Sequence, residues 1–243
     1  MTFIESTQVI DTFYSIGGRC LYLEGGEPFI WHDNTYSMED VVCYAKKKGY
    51  YSVIIYTNGL SKLETNADTI FVSVDGLQAT HDYLRGKSFE RIMENIHYSS
   101  HNSIYINYTI NSVNKGEIEG FCKFTKTIPS IKGTFFYFHT PYYGYDELFL
   151  DTETKNGIIK KIIDLKKKFK ILNSTAGLKS ALLNNWKRNL DICQVYEEGK
   201  FYTCCRESKN GTVCKDCGYL SYAEIDQTIK LKPSAILNAL KYF

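Results

Sequence analysis

The chain is 243 residues long, 44% hydrophobic and 15% aromatic, enough for one large domain or a medium domain with a small appendage. Its net charge of +2 leaves no electrostatic footprint for nucleic acid, and no apolar run approaches the ~20 residues of a membrane span. No basic-then-apolar leader opens the sequence, so the expected compartment is cytoplasmic, where eight cysteines point to thiols or metal rather than structural disulfides.

Taken in chain order, Ile4, Val9, Ile10 and Phe13 stand at helical spacing before Gly17-Gly18, which predicts a helix over 4–14 feeding a first strand. That strand, Cys20-Leu21-Tyr22-Leu23, stops at Glu24-Gly25-Gly26-Glu27-Pro28. Paired glycines let the backbone turn sharply and come close to a ligand, and Pro28 ends any ladder. Two readings of Glu27 stand open: a solvated acid in a turn, or the partner of a ligand ammonium.

Ser37 caps a helix running to Lys48, with Asp40 placed to complete a capping box. Strands over 51–56 and 69–73 end at Thr57-Asn58-Gly59 and Ser73-Val74-Asp75-Gly76. A helix over 89–99 leads to a strand over 103–110, and a helix over 117–127 to a strand over 133–138 that ends at His139-Thr140-Pro141. The helix over 157–169 carries Lys160, Lys161, Lys166, Lys167 and Lys168 as its wet face. Strand and helix alternate at roughly thirty-residue intervals, the pattern of parallel βα units, and polar residues gather at the C-terminal strand ends where such folds build sites.

From Leu182 the periodicity weakens, which predicts a boundary near Ile171–Asn185: residues 1–180 a barrel-like domain, and 181–243 a cysteine-rich module with a terminal helix. Apolar residues of the tail (Ile225, Ile229, Ile236, Leu237, Leu240) keep helical spacing and are interrupted by Pro233.

The ordered set of Gly25-Gly26-Glu27-Pro28, Thr57-Asn58-Gly59 and Ser73-Val74-Asp75-Gly76, followed by His81-Asp82 and Arg85-Gly86, resembles the core of the radical S-adenosylmethionine (SAM) superfamily. The resemblance implies an α/β fold: a partial, TIM-like (β/α)6 barrel, missing its first strand, that holds SAM across its strand ends. It places Gly25, Gly26 and Glu27 at the methionyl ammonium, and Ser73 and Arg85 at the methionyl carboxylate or ribose. A planar guanidinium suits that carboxylate, since it can grip it by two bonds. Thr57, Asn58, Asp75 and Asn107 complete the implied cofactor-binding set, although Asp75 equally suits a turn before Gly76. Asn111, His81 and His139 are further candidates for the lining.

The implied chemistry is one-electron reduction of SAM by a [4Fe-4S] cluster, giving a 5′-deoxyadenosyl radical that takes hydrogen from a substrate. An electron donor such as flavodoxin or ferredoxin is implied as a partner; peptide, small metabolite and lipid precursor are all open as substrate. The CxxxCxxC that holds such a cluster is not in this sequence. The expectation is an enzyme whose cluster ligands lie upstream of Met1; the alternative is a degenerate, non-catalytic relative that binds a metal or a partner. Cys20, Cys43 and Cys122 are too dispersed to replace the motif and read as small buried apolar residues.

Five cysteines fall within 25 residues: Cys193, Cys204, Cys205, Cys214 and Cys217. Residues 195–202 read as a hairpin turning at Glu198-Gly199, and a CxxC pair opposite a hairpin cysteine makes a compact cage for a soft metal. Four thiolates would suit zinc, while Gly199 followed by Phe201-Tyr202-Thr203-Cys204 resembles the SPASM or Twitch modules, which implies an auxiliary iron–sulfur cluster. On a strand, Cys204 and Cys205 would point to opposite faces, so one of the two is expected to ligate.

Overall fold

The computed structural model describes residues 1–188, 190–205, 207 and 210–242. The chain opens with α1 (Phe3–Ser15), β1 (Cys20–Leu23), a short 3-10 turn (Pro28–Ile30), β2 (His32–Asp33), β3 (Tyr36–Ser37) and α2 (Met38–Lys48). There follow β4 (Ser52–Thr57), β5 (Thr69–Ser73), α3 (Gln78–Arg85), α4 (Phe89–Tyr98), β6 (Ile104–Ile110), α5 (Ile118–Lys126), β7 (Ile131–Phe138) and α6 (Thr152–Leu165). The last part holds α7 (Thr175–Leu182), β8 (Gln194–Glu197), β9 (Lys200–Thr203), α8 (Gly211–Lys215), α9 (Leu220–Ile229) and α10 (Pro233–Tyr242).

Five strands form one parallel sheet in the order β1-β4-β5-β6-β7. The order follows the chain without reversal, so there is no switch point of the doubly wound kind; the sequence of neighbours is that of an open stretch of (β/α) barrel. β1 pairs with β4 from Cys20↔Ser52 to Leu23↔Ile55, and β4 with β5 from Ile54↔Thr69 to Thr57↔Val72. The expected α/β class is what the chain adopts. No helix among the described residues is long and apolar enough to cross a membrane.

The chain divides into two compact units, one comprising Met1–Val74, His81–Ile106 and Ile128–Lys132, the other Asp75–Thr80, Asn107–Thr127 and the chain from Gly133 onward. In the first, strand side chains Leu21, Val53 and Ile55 pack against Ile10 of α1 and Val41, Val42 and Ala45 of α2. Alternation turns the intervening residues to the other face, where Tyr22, Tyr56, Phe71 and Tyr105 form an aromatic row with successive centroids 6.2, 4.8 and 5.6 Å apart. The expected helix at 4–14 is α1, capped by a box that the sequence reading passed over: Thr2 Oγ1 accepts from Glu5 N, and Thr2 N donates to Glu5. The capping at Ser37 is as expected, with Ser37 N donating to Asp40 Oδ2 at 2.8 Å. Cys20 and Cys43 are exposed, against expectation; only Cys122 of the three is buried. Cys20 starts an edge strand, and Cys43 lies on the solvent side of α2 beside Glu39.

In the second unit Tyr108, Phe121 and Phe136 meet edge to face in a fully buried cluster. The outer edge of β7 is covered by the segment before α7. Thr134 N donates to Lys170 O, Leu172 N donates to Thr134 O, and the Asn173 amide both accepts from Phe136 N and donates to Phe136 O. That side chain pairs as a backbone peptide would. The hairpin β8–β9 turns at Glu198-Gly199 as expected, both residues having positive φ (49° and 77°), as a two-residue I′ turn requires. α6 starts earlier than its apolar spacing suggests, capped by Asp151, whose Oδ1 accepts from Thr154 N at 2.7 Å.

α7 carries no wide apolar stripe and packs closely on α9 through small residues. A Cβ on Gly177 would overlap the Glu224 carboxyl, whose Oε1 accepts from Ser174 N at 2.8 Å. Burial raises Glu224 from 4.5 to about 7. The folded protein thus keeps a proton that the unfolded chain releases between those values. Stability should fall as pH rises through about 5 to 7 and level off above, by roughly 3 kcal/mol in all. Glu224→Gln should flatten that slope and stabilise the protein at pH 8, as read by urea unfolding at pH 5 and 8.

Candidate functional site

At the end of β1, Gly25 and Gly26 take left-handed φ values of 94° and 55°, with open space where a Cβ would stand. Conformation, not clearance, is what requires glycine there. The chain then straightens at Glu27, which sets its carboxylate against the end of β4. Oε1 accepts from Thr57 Oγ1 at 2.6 Å and from Phe29 N at 3.2 Å, and Oε2 accepts from Asn58 N at 2.7 Å. Thr57 Oγ1 in turn accepts from Gly59 N, and Asn95 Nδ2 donates to Gly59 O. Sequence-predicted Glu27, Thr57 and Asn58 are therefore joined in one clamp. A carboxylate has about four lone-pair sites, and donors among the described residues take three. Ser73 ends β5 half-buried, and Arg85 ends α3 exposed.

Asp75, in the other unit, is buried, and its Oδ1 accepts from Thr109 N at 2.7 Å while its backbone carbonyl accepts from Asn114 Nδ2. Asn111 and Asn114 exchange backbone-to-side-chain bonds, at 2.8 and 3.2 Å. Glu117, which the sequence reading passed over, accepts from Leu77 N and Thr80 Oγ1. Gly76 has φ 145°, and a Cβ there would come within 2.9 Å of that carboxylate. No local signal marks Glu117, since its partners lie about forty residues upstream. Asn107, on β6, differs from all of these: its Oδ1 is buried and has no hydrogen-bond partner among the described residues. His139, at the end of β7, meets Asp146 Oδ2 at 2.9 Å.

The second cluster is a small cavity of about 20 Å³ walled by Cys204, Cys205, Cys214 and Cys217, with Arg188 and Trp186 among the other lining residues. Cys193 is not in its wall, though Cys204 N donates to Cys193 O at 2.7 Å and so extends the hairpin ladder by one rung. The alternation expected for Cys204 and Cys205 does not apply. β9 stops at Thr203, Cys204 takes φ 73°, and Cys205 N donates back to Thr203 O at 3.1 Å. That turn brings both adjacent thiols to the same cavity. Behind it, Tyr222 OH donates to Cys204 O, Arg188 Nε donates to Cys214 O, and Gly218 is bound to the end of β7 through Thr140 Oγ1 and Phe138 N.

Burial pushes Cys193 and Cys217 each up to about 11, with Cys204 adding to both. Cys205 is raised first by its hydrogen bond with Cys204 and then by burial. Arg188 pulls Cys214 and Cys217 the other way, less strongly. The donor chemistry is right for a soft metal, but among the described residues no three Cys, His, Asp or Glu are arranged to hold one.

No family model matches the chain, and no curated protein matches it in sequence. Among solved structures, it is similar to TYW1 with a lysine-pyruvate adduct bound, at a TM-score of 0.49 and 12% identity over 65% of this chain. The match spans 59% of that chain.

Two substitutions test the framework around these clusters. Glu27→Ala removes a charged acceptor from Thr57 and Asn58 and should cost about 1.5–3 kcal/mol in urea unfolding. Gly218→Ala drives a methyl into the Phe138 carbonyl; it should cost about 1–3 kcal/mol and loosen the cysteine cavity, seen as faster alkylation of its thiols.

Proposed function

We propose that this chain is the SAM-holding α/β portion of a radical SAM-type enzyme. The observation that carries the reading is the buried acceptor of Asn107. An acceptor left without a donor costs about 1–3 kcal/mol, and SAM brings the ammonium, amine and hydroxyl donors that would satisfy it. The ordered strand-end motifs support the same reading, as does the preformed Gly25-Gly26-Glu27 turn. By that resemblance Gly25, Gly26 and Glu27 would hold the methionyl ammonium, with one Glu27 lone pair still open to it and Thr57 and Asn58 fixing its orientation. Ser73 and Arg85 would take the carboxylate or ribose, and Asp75 and Asn107 the remaining polar groups.

Bound and reduced by one electron, SAM supplies hydrogen-atom abstraction; the protein's part is to bind, orient and exclude water. The eight cysteines contain no CxxxCxxC, so the proposal assigns this chain the binding step alone. A second reading, a non-catalytic relative, is favoured by one observation: three protein donors already engage Glu27, as in a purely structural clamp.

Isothermal titration with SAM separates the two. Saturable one-to-one binding is expected, weakened tenfold or more in Asn107→Val, a loss of about 1.4 kcal/mol or greater. Absence of binding, or equal affinity in a folded Asn107→Val protein, would leave the non-catalytic reading.

A further inference from the structure

The expected metal cage and the observed thiols disagree, and the disagreement has a chemical reading of its own. Four thiols wall one cavity, yet they do not converge as a ligand set. Two of them do converge. Cys204 and Cys205 are neighbours in sequence, and both line the cavity.

The backbone between them is unusual. The bond from Cys205 N to Thr203 O, closed around a φ of 73° at Cys204, makes a γ-turn of the positive-φ kind, which is rare and strained. Cys204 is buried and not a glycine, so the strain is held in place by its surroundings: Cys193 O takes its N–H, and Tyr222 OH binds its carbonyl. The result turns two side chains that alternation would separate toward one space.

We propose that Cys204 and Cys205 form a redox-active vicinal dithiol that closes to a disulfide by exchange with a small disulfide of the glutathione class. One cysteine thiolate attacks a sulfur of the disulfide RSSR, a mixed disulfide forms, and RS⁻ leaves. The neighbouring thiolate then attacks the protein-side sulfur, joining Cys204 to Cys205 and expelling a second RS⁻. The two cysteine protons end on two RSH, and two electrons pass from the pair to RSSR.

Adjacent Cα atoms lie about 3.8 Å apart, below the usual disulfide span of roughly 4.4–6.8 Å. The closed ring is therefore strained and easily reduced, the property of a labile bond and not of a structural one.

The sequence makes the test decisive. Trypsin cuts after Lys200 and Arg206, so one peptide, Phe201–Arg206, carries both cysteines, while Cys193, Cys214 and Cys217 fall on three other peptides. The intact protein is equilibrated in glutathione buffers from reduced to oxidised, quenched by acid alkylation and digested. The expected result is that Phe201–Arg206 alone loses two hydrogens in oxidising buffer and regains them on reduction. The proposal fails if the pair stays alkylatable throughout, or if oxidation joins that peptide to Cys193, Cys214 or Cys217. It fails equally if anaerobically purified protein retains stoichiometric iron or zinc that shields all four cavity thiols.

Discussion

A parallel strand that stops leaves amide groups its ladder cannot serve, and in this protein side-chain oxygens serve them. Glu27 takes the N–H of Asn58, Asp75 that of Thr109, Asp68 that of Val53 and Asn173 that of Phe136. Each bond fastens one loop to the end or edge of a strand it does not belong to. The polar residues that make the strand ends look chemical are therefore first of all fasteners, and whatever ligand chemistry they take part in is built on positions already set. Asn107 stands out against this background because, among the described residues, its acceptor is spent on no such task.

The thiol cluster is positioned from the same sheet. Gly218 follows Cys217 directly and is bonded to the end of β7, and Tyr145 from the loop after β7 donates to Asp216, between the two cysteines of the CxxC. The hairpin brings Cys204 and Cys205 to the cavity from the other side of the sequence. Two short segments with little core of their own thus take their geometry from a strand rich in buried aromatic residues.

How far the sequence disclosed this follows from the range of each signal. Strands such as Thr69–Ser73 and the capping of α2 were legible because the apolar spacing and the cap lie within a few residues. α3 escaped because Gln78–Arg85 has no apolar stripe; its fully buried side chain is a histidine. α7 escaped because small residues, not large apolar ones, carry its packing. The amide fasteners could not be read, since Asn173 and Phe136 are 37 positions apart and nothing near either announces the other. Glu27 was legible as a strand-end acid, but not the three donors already waiting for it. The reach of Cys204 and Cys205 into one cavity turns on a single backbone angle, which composition does not encode.

The two margins of the main sheet are not equivalent. Beyond β7 the segment Lys170–Asn173 lies against the outer strand, whereas β1 is paired among the described residues with β4 alone. Two copies related by a twofold axis would bring β1 against itself in antiparallel sense, breaking the parallel grain of every other pairing. Growth of this sheet in its own parallel sense needs a strand running in the direction of β1, whereas a twofold pairing would give the antiparallel edge that otherwise parallel sheets commonly carry.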